Sequence, residues 1–148
     1  MNDFSYVNIE STSALERFYG GIWEIDLLLN SSILMSGGQV HEIDLGNNAS
    51  ATLSGGLIET IRSYQVAWED QGGILVNTPH IIIDCLDDWS HDTVTNLLTG
   101  HWLDGTAFTI KLYDVAGYSP AIENIQFIPE PMTLALISIG GLLIRRRK

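Results

Sequence analysis

Trp23-Glu24-Ile25-Asp26-Leu27 returns eighteen residues later as His41-Glu42-Ile43-Asp44-Leu45, and Met35-Ser36-Gly37-Gly38 returns as Leu53-Ser54-Gly55-Gly56. The same interval links Phe4, Ile22, Val40 and Ile58, and also Val7, Ile25, Ile43 and Ile61. Ile9, Leu27 and Leu45 follow it, as do Leu15, Ile33 and Ala51. Two glycine series, Gly20-Gly38-Gly56 and Gly37-Gly55-Gly73, keep the same phase. Within a unit, Ile25 and Leu27 flank Asp26, and Ile33 and Met35 are likewise two apart, which is the alternation of strands with one buried face. Apolar spacing of two and recurrent Gly-Gly pairs exclude helix here. A period near twenty is the mark of stacked repeat units, so the fold expected is all-β: a parallel β-solenoid with 18-residue coils over residues 1–73. Its coils would lie about 4.8 Å apart. Asn47-Asn48 and the Gly-Gly pairs suit its corners, where a positive φ is needed.

From Ile74 the period fades. Ile74 to Asn77 and His80 to Leu86 read as apolar strands separated by Pro79, and Thr93 to Leu103 and Thr106 to Tyr113 flank Asp104-Gly105. Asp-Gly between alternating stretches signals a two-residue hairpin turn. Phe108, Ile110 and Leu112 would share one face, opposite Thr109, Lys111 and Tyr113. With a last strand from Ala121 to Ile128, residues 74–128 are expected to form a small antiparallel β region that closes the solenoid. Residues 129–148 then stand apart as a third unit.

Charge is distributed unevenly. Of seven basic residues, four are the last four, leaving Arg17, Arg62 and Lys111 in the body. Against 17 carboxylates before Pro129 these three leave residues 1–128 at −14. Such a body repels nucleic acid and anionic lipid, so no nucleic-acid partner is expected. Cys85 is the sole cysteine, which rules out an internal disulfide and fits a small core residue.

The tail has three ordered parts: Pro129-Glu130-Pro131, an uncharged run of 13 residues from Met132 to Ile144, and Arg145-Arg146-Arg147-Lys148. As a helix the run reaches roughly 20 Å, short for a span unless the arginines lay their methylenes along the lipid. Cations stay on the cytoplasmic side, so the body would face outward. The prolines keep Ile128–Glu130 extended and accessible. This tail resembles the PEP-CTERM sorting signal of bacterial exported proteins, a tail type also found on some ice-binding proteins. The resemblance implies a C-terminal transmembrane helix over 132–144 and processing by an exosortase-type membrane enzyme near Pro129, Glu130 and Pro131. Arg145, Arg146, Arg147 and Lys148 would form the membrane-side anchor. It also implies residence in the cell membrane during sorting, then at the cell surface or outside the cell. The opening Met1 to Glu10 has no basic n-region and no apolar h-region, and the repeat is already in phase at Phe4. The chain is therefore expected to be cut short at its N-terminus.

No catalytic residue is assigned. Asp84, Asp87, Asp88, His91 and Asp92 form the densest polar cluster, and Asp87, Asp88 and Asp92 could offer oxygen ligands to calcium. Their spacing lacks the glycine and terminal glutamate of an EF-hand, so a solvated acidic turn is the preferred reading and no metal or other cofactor is expected. His41, His80, His91 and His101 lack zinc-ligand spacing. Asp26 and Asp44 occupy one repeat position, but Asn8 precedes and Arg62 follows, which breaks an acidic ladder. The mixed outward residues Trp23, His41 and Glu59 do not form the threonine ranks that ice binding needs. The expected function is that of a non-enzymatic exported surface or matrix protein. The alternatives are a remnant of a carbohydrate-active β-helix enzyme, or an envelope-displayed module that binds carbohydrate, such as a surface polysaccharide, or ice.

Overall fold

The computed structural model describes residues 6–9, 21–64, 66–70, 73–77 and 79–129, with side chains over 21–64 and 79–128. In chain order the strands are β1 (Tyr6–Ile9), β2 (Ile22–Leu27), β3 (Ser32–Leu45), β4 (Ser50–Ser63), β5 (Val66–Asp70) and β6 (Gly73–Asn77). They continue with β7 (His80–Cys85), β8 (Ser90–Asp92), β9 (Leu97–His101) and β10 (Ala107–Tyr113). A 3-10 turn, Ala121–Asn124, leads into β11 (Ile125–Pro129).

The repeat interval reappears as the register between neighbouring strands. β2 lies parallel to β3 with Ile22 opposite Val40, Ile25 opposite Ile43 and Asp26 opposite Asp44. β3 lies parallel to β4 with Ile33 opposite Ala51, Met35 opposite Leu53 and Ile43 opposite Ile61. The register slips at Ser36–Gly55 and recovers at Gln39–Leu57, where the Gly-Gly pairs fall. Gly38 and Gly56 adopt φ of 82° and 97°, so each long strand has two legs joined at a left-handed bend. Both legs feed one core. Ile33, Met35, Ala51, Leu53, Ile81 and Ile83 come from the first leg and its neighbours. Ile43, Leu45, Ile61, Ile110 and Leu112 come from the second. Between units the turns also stack: Gly46 N–H donates to the Leu27 carbonyl, and Tyr64 N–H to that of Leu45.

The solenoid expectation is overturned. Among the described residues, nine strands form one mixed sheet, and β5 and β6 pair antiparallel as a separate ribbon. After β4 the chain passes to that ribbon and adds no further strand at the eighteen-residue interval. Two different strands then share the open edge of β4. β7 takes the first leg, with Ser50 opposite His80, and β10 takes the second, with Ile61 opposite Leu112, both in parallel. β11 continues from β7 in parallel, whereas β9 and then β8 continue from β10 antiparallel. Apart from β6, the strands of residues 74–128 are thus built into the main sheet and do not form a separate antiparallel lid. The physical reason is that period-two alternation reports which face a residue occupies, not which strand lies beside it or in which direction.

Two further expectations change. β1 pairs with the first leg of β3, with Val7 opposite Ile33, so Val7 does not stack on Ile25 as its repeat position implied. Both legs offer apolar residues at alternate positions, so either accepts the same short strand. Asp104-Gly105 lies within a longer link across residues 102–106, not in a two-residue turn. Trp102 N–H donates to the Thr106 carbonyl, and Asp104 Oδ1 accepts Thr106 N–H at 2.8 Å, which fixes the wider loop. The expected C-terminal transmembrane helix falls at 132–144, outside the described residues. Among the described residues no helix is long and apolar enough to cross a membrane.

Candidate functional site

The stacking that aligns the apolar residues also aligns the polar ones. Asp26, Asp44 and Arg62 lie opposite one another on β2, β3 and β4, and Glu24 lies opposite Glu42. Arg62 reaches back across β3: its Nη2 is 2.8 Å from Glu42 Oε1 and its Nη1 donates to Asp44 Oδ2 at 3.0 Å. The guanidinium is therefore shared between two carboxylates of the preceding strand, hydrogen-bonded to Asp44 and ion-paired with Glu42. Tyr113, opposite Arg62 on β10, places its ring 5.8 Å from the guanidinium carbon. On the other side, Glu24, Asp26 and Asp44 hold carboxylate oxygens within 4.8 Å of one another. That spacing suits a shared positive charge, whether a metal ion or a guanidinium.

Asp44 is the most perturbed member. Burial pushes its carboxyl up to about 6, Arg62 pulls it back, and Glu42, Asp26 and Glu24 push it further up. Its buried Oδ1 accepts no hydrogen bond among the described residues. Because the folded carboxyl holds its proton more tightly than the usual 3.8, acidification favours the folded state. This contribution is complete below pH 3.8 and is lost as pH rises through about 6. After allowance for screening at this partly buried site it is on the order of 1 kcal/mol. Asp44→Asn should remove it, and thermal melts between pH 4 and 7 would show a flatter profile for the variant. An unchanged slope would assign the pH dependence to other carboxylates.

Beside this ladder runs a second one. The Trp23 ring stacks on His41 with centroids 4.2 Å apart, and His41 Nδ1 sits 2.7 Å from Glu59 Oε2. Trp23 is 69% exposed, with one ring face on His41. The sequence named Asp26, Asp44 and Arg62 but read the arginine as breaking the pattern. In the fold, Arg62 is the cation that holds it together. The legible signal was the second pair, Glu24 and Glu42, at the same interval.

The acidic cluster singled out from sequence is placed differently. Asp88 Oδ2 lies 2.6 Å from His101 Nδ1, and its Oδ1 accepts the His101 N–H. Asp92 accepts hydrogen bonds from the Thr95 hydroxyl and from Val94 and Thr95 N–H, which hold its carboxyl below the usual carboxylate range. His91 Nε2 is 2.7 Å from Asn96 Oδ1, and Asn96 itself stands at φ 55°. Asp87 is exposed in the turn before Trp89. Asp88 and Asp92 thus serve separate turns, and the described carboxylates that converge are the other set, Glu24, Asp26 and Asp44. Cys85 is fully buried. Burial, reinforced by Asp88, Asp84 and Asp87, pushes its thiol up to about 11, so it remains a protonated core residue.

Of the sorting residues, Pro129 ends β11 opposite Cys85. Glu130, Pro131, Arg145, Arg146, Arg147 and Lys148 lie outside the described residues. No protein-family model matches the chain, and no curated protein or solved structure matches it either.

Proposed function

We propose that this chain is an exported, non-enzymatic surface or matrix protein, sorted through residues 129–148 by an exosortase-type membrane processing enzyme. The observation that carries the reading is the order of the tail: Pro129-Glu130-Pro131, then an uncharged run, then four cations. Its junction with the body supports the reading. β11 runs extended to Pro129, and a proline with no N–H is suited to a strand's end, so the motif begins where the last strand stops. In this reading residues 132–144 lodge in the membrane during sorting with the basic end inside, and the acidic body faces outward.

The test replaces Pro129, Glu130 and Pro131 with alanine in the organism of origin. The unaltered protein should lose its tail and leave the membrane fraction, and the variant should keep its tail and stay there. Equal mature size and equal fractionation of the two would overturn the proposal.

A further inference from the structure

We propose that the open edge of β2 is a docking strand for an extended, arginine-bearing segment of a partner protein. Among the described residues β2 pairs only with β3 and no strand lies on its other edge, and such an edge is the template on which a strand is added. The chemistry of that strand is written in the next one along. Arg62, one strand beyond β3, is shared between Glu42 and Asp44. Glu24 and Asp26 occupy the same two positions on β2, where both are exposed and neither meets a cation among the described residues. An arginine opposite Asp26 on an added strand would repeat the arrangement one step out. The carboxylate column of four, neutralised at one end by Arg62, would then be neutralised at both.

Neighbouring residues favour the same occupant. Trp23 lies against His41 on one ring face and is otherwise exposed, so a second guanidinium or a planar side chain can stack on it. Ile22 at the start of the strand and Leu28 and Leu29 just past its end are exposed and offer an added strand apolar contact at both ends. A second copy is a poor occupant, because pairing β2 with β2 sets Glu24 and Asp26 against their own kind. A net charge of −11 draws a basic segment from a distance and repels another copy of the chain.

The probe is a fluorescein-labelled synthetic peptide of alternating threonine, valine and two arginines, titrated against the full chain by anisotropy. It should bind and weaken as salt rises. Binding should fall about tenfold or more when citrulline replaces both arginines, and to a similar degree with Glu24→Gln and Asp26→Asn combined. Methylating alternate peptide amides keeps the charge and removes the strand pairing, and should also abolish binding. Equal binding of the methylated peptide would reduce the contact to unspecific charge and overturn the proposal, as would no binding at low salt. Three further results would assign the edge to another occupant and overturn it too. These are calcium binding at Glu24, Asp26 and Asp44 that is tighter than the peptide, dimers lost on Trp23→Asp, or, at salt high enough to screen long-range attraction, stronger peptide binding when Arg145, Arg146, Arg147 and Lys148 become glutamine. The methylated-peptide arm uses unaltered protein, so a misfolded variant does not blunt the test.

Discussion

Trp102→Ala should destabilise the protein by about 3–5 kcal/mol, the largest effect expected of any single truncation. The indole is 1% exposed and is among the largest fully buried side chains. It lies at the start of the link between β9 and β10, bridges to Cys85 at the end of β7, and packs at 4.5 Å on Phe108. Its Nε1 donates to the Gly56 carbonyl at 3.1 Å, across the bend between the two legs of β4. Alanine would thus leave a cavity and also strip a partner from that carbonyl. Thermal denaturation followed by circular dichroism should show the midpoint fall on the order of 10 °C. Trp102→Phe keeps much of the volume and loses the hydrogen bond, so it should cost only about 1–2 kcal/mol. If the two variants melt together, the hydrogen bond, not the packing, is what the indole supplies.

Gly56→Ala should cost about 2–4 kcal/mol, from left-handed strain together with overpacking. At φ 97° a side chain is disfavoured before any neighbour is considered. A Cβ there would also lie 2.6 Å from Met35 Cε and 2.9 Å from both the Gly37 and Gly38 carbonyl oxygens. Met35 can swing away, but the two backbone oxygens form the bend of the adjacent strand and cannot. Relief would require the stacked bends to part, which loosens the register between β3 and β4. Urea denaturation measures the loss directly. Because Gly56 carries the carbonyl that Trp102 binds, the double variant should lose less than the sum of the two singles. Full additivity would show that the bend and the indole act independently.

Both predictions fall where a pattern visible in the sequence meets a contact that is not. Gly37-Gly38 and Gly55-Gly56 were readable as corners because two glycines recurring in phase with apolar alternation have few other uses. That an indole forty-six residues further on would lie over the Gly56 carbonyl has no local signal. The same division runs through the candidate site. Glu24-Ile25-Asp26 and Glu42-Ile43-Asp44 repeat visibly, but the role of Arg62 depends on side-chain reach across a strand gap. An arginine that interrupts a column in the alignment becomes its counterion in space. Asp87, Asp88 and Asp92 show the converse: they are close in sequence, yet two of them turn to hydrogen-bond donors of different turns.

Legible in the chain alone are the alternation that turns Ile33, Met35, Ile43 and Leu45 to the core, the bends of the long strands, and the eighteen-residue offset between β2, β3 and β4. They are legible because alternation and glycine placement are local consequences of backbone geometry. The sequence also carries the tail, whose three parts are legible without any fold. No local pattern specifies that β7 and β10 divide the open edge of β4, that β8 and β9 run antiparallel beyond it, or that the sheet is mixed instead of a solenoid; these follow from the folded packing. A strand edge offers the same donors and acceptors to either direction of approach, so the choice of neighbour rests on long-range packing. Trp102 against Gly56 and Asn124 against Ser63 are such contacts, and no period in the chain encodes them.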